Sequence, residues 1–268
     1  MGGFVLGVTG DGSSGPSNIQ VKEIIIRNVA DNKTDELIIY NYLIGKYALN
    51  YPSFDNGKLL LTFDDMALSL YTRAFPLLQA KEVRGTFYVI TSKVGTSGYA
   101  TWDNIREMNV AGMDMQCHTN THPDLRTLNQ SQVLVELQAV NDAFATNSLP
   151  APHHIAYPGG YTSANIKSWV STMRRTGRIA GGVWAMTKNT DKFALPVLWN
   201  DDIAETTTVK GYMLASYKSN TTLILLNHGV SDAGGTYEVA ADHLNDIIDY
   251  AKSIGMDIIT IKELYTLL

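Results

Sequence analysis

Lys58-Leu59-Leu60-Leu61-Thr62-Phe63-Asp64-Asp65 is the stretch that decides the fold. Its first six residues are apolar at nearly every position instead of alternating, the pattern of a strand covered on both faces, and the run stops abruptly on two carboxylates. Similar short runs return at 85–90, 113–117, 154–157, 182–186, 197–199, 222–226 and 256–261. Between them lie longer segments, 67–80, 101–110, 131–145, 163–175, 209–217 and 237–253, whose apolar residues recur at helical spacing. In the last of these Val239, Leu244, Ile247, Ile248 and Ala251 mark one face. Such alternation predicts a parallel α/β fold, and its length suits a (β/α) barrel better than a short open sheet.

Outward from this core the pattern changes. Residues 1–18, with Gly12-Ser13-Ser14-Gly15-Pro16, read as a flexible arm. Residues 19–57 hold two apolar runs around the polar turn Asp31-Asn32-Lys33-Thr34 and read as an extension or small subdomain packing on the barrel, which takes up 58–268. A chain of 268 residues that is 45% hydrophobic can fill one such core. A net charge of −5, with no basic run interleaved with aromatics, argues against a nucleic-acid partner. The single cysteine, Cys117, excludes an internal disulfide and a cysteine zinc cluster, so any metal must rely on His and carboxylate ligands. Cys117 itself reads as buried packing. No apolar run is long enough to span a bilayer, and Met1-Gly2-Gly3-Phe4-Val5-Leu6-Gly7 lacks the charged and apolar regions of a signal peptide. Oligomeric state is not encoded in any pattern found here.

Polar residues collect just after the strand runs, at what would be the C-terminal mouth of a barrel, where ligands and catalytic groups gather. Four runs end in this way, on Asp64-Asp65, on His118-Thr119-Asn120-Thr121-His122, on Tyr157-Pro158-Gly159-Gly160-Tyr161, and on Asn227-His228. Adjacent carboxylates repel unless something positive lies beside them, and a divalent cation is a common remedy. Two imidazoles four residues apart converge on one ion if the segment between them turns, and with one carboxylate they leave open positions for water and substrate. This gives Asp65, His118 and His122 as metal ligands, Asp64 as general base and His228 as general acid, with Pro158-Gly159-Gly160 offering a backbone N–H to an oxyanion. Each feature alone has a duller reading, as a solvated turn, a pair of surface imidazoles or a hydrogen-bonded rim histidine. Their conjunction at four strand ends is what points to metal-assisted acyl hydrolysis.

These stretches resemble the polysaccharide deacetylases of the NodB-like group, carbohydrate esterase family four. Leu61-Thr62-Phe63-Asp64-Asp65 is similar to the first family motif, and Cys117 to Leu125 to the second, with both histidines at family spacing. Ile155 to Gly160 resembles the third motif, and Leu225-Leu226-Asn227-His228 the fifth. The resemblance runs from about residue 58 to the C-terminus and implies a distorted barrel of about seven β/α units. It implies a groove wall of Tyr157, Pro158, Gly159, Gly160 and Tyr161, and an acetyl pocket lined by Leu226. Three departures stand out. Met66 follows the Asp pair where Gly is usual, which would narrow the cleft floor; Ala156 stands where an Arg pairing with the base is expected; and the fourth motif has only Asp201 and Asp202 as candidates, which a cap or turn explains equally well. Tyr161, Trp184 and Trp199 are candidates for stacking on sugar faces.

The sequence thus predicts a metal-dependent carbohydrate deacetylase. Zinc is the first choice of ion, and nickel or cobalt fits the same ligands. The implied partner is an acetylated polysaccharide or oligosaccharide outside the cell or at its surface, of the N-acetylglucosamine type first and an O-acetylated xylan or capsule second. The competing reading is a catalytically weak or inactive glycan-binding module on the same barrel, favoured by the absent Arg.

Overall fold

The computed structural model describes residues 54, 56–182, 184–201 and 206–268. The expected arm, almost all of the expected extension, and Asp202 lie outside them. The chain runs β1 (Lys58–Phe63), a π-helical turn (Leu70–Ala74) leading into α1 (Phe75–Ala80), β2 (Thr86–Val89), α2 (Trp102–Val110), β3 (Asp114–Cys117) and α3 (Gln130–Thr146). It continues through β4 (His154–Ala156), α4 (Ala164–Val170), β5 (Thr176–Arg178), β6 (Leu198–Trp199), α5 (Thr206–Lys218) and β7 (Thr222–Asn227). It ends with β8 (Gly229–Ser231), β9 (Glu238–Ala240), α6 (Ala241–Ser253), β10 (Asp257–Ile258) and α7 (Ile261–Tyr265). No helix among the described residues is long and apolar enough to cross a membrane.

The main sheet is parallel in the order β5-β4-β3-β2-β1-β7-β6, with β10 added beside the first two residues of β1. Leu195 bridges Arg178, and Leu198 and Trp199 pair with Leu225 and Leu226, so the segment before and through β6 touches β5 at one end and β7 at the other. The result is a distorted (β/α) barrel. Because side chains alternate along a strand, each stave sends one set inward and the other toward the helices. Leu59, Leu61, Phe63, Phe87, Val89, Met115, Cys117 and Ile155 face outward into the large helix-covered core. Leu60, Ile224 and Leu226 form a second cluster with Leu195, Val197, Phe54 and Leu264. Thr86, Tyr88, Gln116, His154, Thr176 and Arg178 occupy the alternate positions of β2 to β5, all buried.

The barrel interior is therefore apolar on the β1–β7 side and polar on the β2–β5 side. Buried polar groups must find partners. Gln116 donates to Asp114 Oδ1 at 2.7 Å and accepts the His154 N–H at 2.9 Å, while His154 Nδ1 meets Thr176 Oγ1 at 2.9 Å.

Three expected elements are corrected, one of them the helix expected over 237–253, which starts at Ala241 after β9. The strand expected over 182–186 is not seen among its described residues; of these only Met186 pairs, antiparallel with Thr222, and Gly181 and Gly182 turn the chain before it with φ of 155° and 96°. The expected helix over 163–175 stops at Val170, where the Ser171 and Thr172 hydroxyls bond back to Ser168 O and Trp169 O. Its last residues feed β5 instead. Gly177 lets that strand pass Tyr157, since a Cβ there would lie 2.3 Å from the phenol oxygen and 2.5 Å from Cζ. Gly177→Ala is expected to lower stability by about 1–3 kcal/mol through overpacking, read as a lower urea midpoint with unchanged slope.

Candidate metal centre and catalytic site

Asp64 extends the β1–β7 pairing by one residue, its N–H donating to Asn227 O at 2.8 Å. The chain then turns sharply, with Asp65 and Met66 both in left-handed backbone at φ 71° and 65°. Such a conformation costs a residue with a Cβ about 1–2 kcal/mol. Burial of Met66 in the outer core offsets part of this, and Met66 packs away from the cleft, so the expected narrowing of its floor does not occur. The turn leaves Asp64 buried and lifts Asp65 toward the mouth.

His118 extends β3 in the same way, its N–H bonded to Val89 O at 3.0 Å. The segment after it turns through Thr119 at φ 63° and arrives at His122 at φ 62°, whose N–H donates to Thr119 Oγ1 at 3.0 Å. Glu136 on α3 fixes the loop from outside. Its carboxylate accepts the N–H groups of Asn120 and Thr121 at 2.9 and 2.8 Å and the Thr121 hydroxyl at 2.7 Å. Nothing in the sequence distinguishes Glu136 from a solvated helix residue.

The turn brings the two imidazoles edge to face, with centroids 4.8 Å apart, and ligand atoms of Asp65, His118 and His122 all lie within 4.8 Å of one another. His118 Nδ1 lies 2.8 Å from Ala156 O, and a carbonyl can only accept, so Nδ1 carries the proton. The lone pair of a neutral His118 is then on Nε2, which faces Asp65 Oδ1 at 3.2 Å. His122 Nε2 stands 3.8 Å from the same oxygen. Asp65 Oδ1 is buried and receives no hydrogen bond of normal geometry. Lone pairs converging on one point call for a positive charge between them, and this donor set fits a divalent cation. With the imidazoles protonated and no cation bound, burial pushes the Asp65 carboxyl up, but the His118 hydrogen bond and the His118, His122 and His228 charges outweigh it and hold the pKa at about 2. Burial and the neighbouring His118 push His122 below the usual imidazole value.

Asp64 has a different partner. Arg178 Nη2 donates to both of its carboxylate oxygens, and the pair is buried. The guanidinium absent at Ala156 is thus supplied from the neighbouring strand, where Ala156 and Arg178 are in register. The expected helix ended at residue 175 and the next expected strand began at 182, so the strand that carries Arg178 was missed. On the opposite wall, Asp201 accepts from His228 Nδ1 at 2.6 Å and from its backbone N–H at 3.1 Å. Burial pulls the His228 pKa down, but the Asp201 hydrogen bond and the Asp64, Asp201 and Asp65 charges outweigh it and raise the imidazole above its ordinary value.

Asp64, Asp65, His118, His122 and His228 line one cleft of about 280 Å³ together with Tyr157, Gly159, Gly160, Ala180, Trp199, Leu226 and Tyr237. Of the expected groove wall, Pro158 is buried and Tyr157 points its hydroxyl away to Phe193 O at 3.1 Å. Tyr161 stands at the rim, stacked on Arg126. Of the other aromatic candidates Trp199 lines the cleft, whereas Trp184 packs on Tyr212 with centroids 5.0 Å apart. Tyr237 was not anticipated; it lies in a stretch read as helix.

Residues 52–177 match the sequence model of the polysaccharide deacetylase family. A putative polysaccharide deacetylase, YxkH, of Bacillus subtilis is 27% identical over 120 residues, 44% of this chain and 43% of that protein. A poly-β-1,6-N-acetyl-D-glucosamine N-deacetylase of Staphylococcus epidermidis is 25% identical over 171 residues, 57% of this chain and 58% of that protein. The chain thus spans about half the length of the curated relatives it matches. The Xyl-CE4 domain of a multidomain xylanase from the hindgut metagenome of Trinervitermes trinervoides superposes with a TM-score of 0.60 at 17% identity, over 79% of this chain and 91% of the domain, a likeness of fold.

Arg178→Leu is expected to destabilise the protein by about 3–5 kcal/mol, because it strands the Asp64 carboxylate in the barrel. Adding Asp64→Asn should restore part of the loss, and a double-mutant cycle of denaturant midpoints measures the coupling.

Proposed function

We propose, on the match of residues 52–177 to the polysaccharide deacetylase family model, that this chain is a metal-dependent hydrolase removing acetyl groups from a carbohydrate. The observation that carries this is the convergence in one cleft of two imidazoles and a carboxylate, beside a separately anchored carboxylate and a carboxylate-paired imidazole. Asp65, His118 and His122 would hold the ion, zinc first, with nickel or cobalt fitting the same ligands. When bound, a divalent ion supplies Lewis acidity that polarises the acetyl carbonyl and acidifies the attacking water.

The rest falls to the chain's own side chains. Asp64 accepts the proton of the attacking water, and Arg178 fixes the orientation of its carboxylate. The Gly160 N–H is taken by Tyr157 O at 2.8 Å, which leaves the neighbouring Gly159 N–H as the donor this turn offers to the developing oxyanion. Leu226 and Trp199 give the acetyl methyl an apolar wall. His228, whose pKa Asp201 raises, returns a proton to the leaving amine or alkoxide as the C–N or C–O bond breaks, and the products are acetate and a free amino or hydroxyl group. An N-acetylglucosamine glycan is the first substrate, in keeping with the N-deacetylase that this chain resembles, and an O-acetylated glycan the second. The inactive-module reading drew its support from the missing Arg, which Arg178 removes.

Acetate release from a panel of acetylated glycans, after chelation and again after metal add-back, tests the reading. Activity should vanish on chelation and return with zinc, and Asp64→Asn should lower kcat about 10²- to 10⁴-fold; silence of the metal-loaded wild type on every glycan would sink the proposal. A second outcome concerns pH. Removing the Asp201 charge lowers the His228 pKa, so in Asp201→Asn the alkaline limb of kcat/KM, where the acid loses its proton, should move to lower pH. Stability follows the same sign: the contribution of this pair is full below the ordinary imidazole pKa and is lost as pH rises through the raised value.

A further inference from the structure

A second cavity, of about 600 Å³, opens at the other end of the barrel. Asp114, Gln116 and His154 line it from β3 and the start of β4, whereas Asp64, His118 and His228 follow the ends of their strands. In a parallel sheet the two openings therefore lie at opposite ends of the staves. None of the residues lining this one takes part in the acetyl hydrolysis proposed above.

The innermost polar group is a histidine with one nitrogen to spare. His154 is 1% exposed and its Nδ1 meets the Thr176 hydroxyl at 2.9 Å, but among the described residues no group meets its Nε2. With Thr176 donating to Nδ1, the imidazole proton sits on Nε2. The carboxylates around it are already engaged. Asp114 accepts from Gln116 Nε2 at 2.7 Å, from the Thr86 hydroxyl at 3.3 Å and from the Lys262 N–H at 3.2 Å, and Glu263 pairs with Arg84 at 2.6 Å.

The cations are not. Among the described residues no carboxylate forms an ion pair with His153, Arg175 or Lys262, all of which line the cavity, whereas Lys58, Lys81, Lys167 and Lys210 elsewhere on the surface each meet one. Tyr265 gathers these groups. Its ring lies 5.6 Å from that of His154 and 5.4 Å from the Arg175 guanidinium, and Lys262, three residues earlier on α7, shares its face. The Arg175 N–H donates to His153 O at 2.6 Å, which ties those two residues together. Burial, and then the His153, Arg175, Arg174 and Lys262 charges, push the His154 pKa down to about 3. A neutral, buried N–H among unpaired cations favours negative charge beside it.

We propose that this cavity binds a small molecule bearing a multivalent oxyanion, a phosphate or a polycarboxylate, with Arg175 and Lys262 meeting its charge and His154 Nε2–H donating to it from within. A planar guanidinium suits phosphate and carboxylate oxygens alike, and a cavity of this size falls in the range of small-molecule sites. The proposal stands independently of the deacetylase reading.

Titration calorimetry of the full chain with inorganic phosphate, pyrophosphate and citrate, at ionic strength matched with chloride, reads the site, and nitrogen NMR of the imidazoles reports on His154. Saturable binding of at least one anion is expected, together with a shift of the His154 Nε2 resonance. Arg175→Gln and Lys262→Gln, both at exposed positions that leave the fold intact, should each weaken binding about two- to tenfold. Lys210→Gln, at a paired cation outside the cavity, should leave it unchanged. Tighter binding of citrate supports a carboxylate ligand for the site, and tighter binding of phosphate or pyrophosphate supports a phosphate one. Absence of saturable binding by all three would overturn the proposal, as would a His154 resonance that does not move. So would binding that both cavity variants leave unchanged, since the anion would then be held elsewhere, as at the candidate metal centre.

Discussion

Two carboxylates on consecutive residues at the end of one strand, both drawn out of bulk water, must be neutralised from different directions. Asp64 and Asp65 impose this constraint on the whole mouth of the barrel. Alternation sends Asp64 inward, where only a group rising from the barrel interior can meet it, and Arg178 does so from β5. Asp65 is turned outward by its left-handed backbone toward the two imidazoles of His118 and His122, a donor set that fits a cation. Neither solution can replace the other. A guanidinium carries five donors and no acceptor and suits a structural pairing, whereas two imidazoles and a carboxylate leave coordination positions open for water and substrate.

The division of the barrel interior into apolar and polar halves follows from the first of these. A guanidinium cannot cross an apolar core without partners, and the staves nearest Arg178 carry the polar side chains. Tyr88 lies under it at 5.2 Å, and Gln116, His154 and Thr176 form a hydrogen-bonded layer on the same side. The backbone strain has a similar logic. Asp65, Met66, Thr119 and His122 all hold positive φ, and all belong to the two turns that aim the candidate ligands. Such residues persist where their surroundings over-determine them. Here Met66 is locked into the core, and three hydrogen bonds to Glu136 hold the histidine turn.

What the sequence made legible was whatever local pattern could announce. β1, β3 and β7 are apolar runs that stop on chemistry-bearing residues, and the barrel and the convergence of Asp64, Asp65, His118, His122 and His228 follow from them. β5 was not legible, because a three-residue strand of Thr176-Gly177-Arg178 has no apolar run. Its glycine is set by the Tyr157 ring, and its arginine by a carboxylate more than a hundred positions away. Asp201 was visible as a candidate, yet only its contact with His228 separates it from a turn residue. Glu136, Tyr237 and the ring stacking of Tyr161 on Arg126 are likewise products of tertiary contact, without periodicity or motif to mark them.

The relocation of the arginine explains Ala156 as well. Residues 156 and 178 are cross-strand neighbours on adjacent staves and both point inward, so a long side chain at either position reaches the same space beneath Asp64. Two arginines there would repel each other in a buried setting, and one must be small. With Ala156 as the small member, its carbonyl still accepts the His118 Nδ1 proton and keeps Nε2 free for a cation. β4 thus orients His118 through its backbone, and Asp64 and the candidate ligands become linked across a single pair of strands. A change at Arg178 would therefore reach the candidate metal centre chiefly by moving β4, whereas a change in the histidine turn leaves the Asp64 pairing in place.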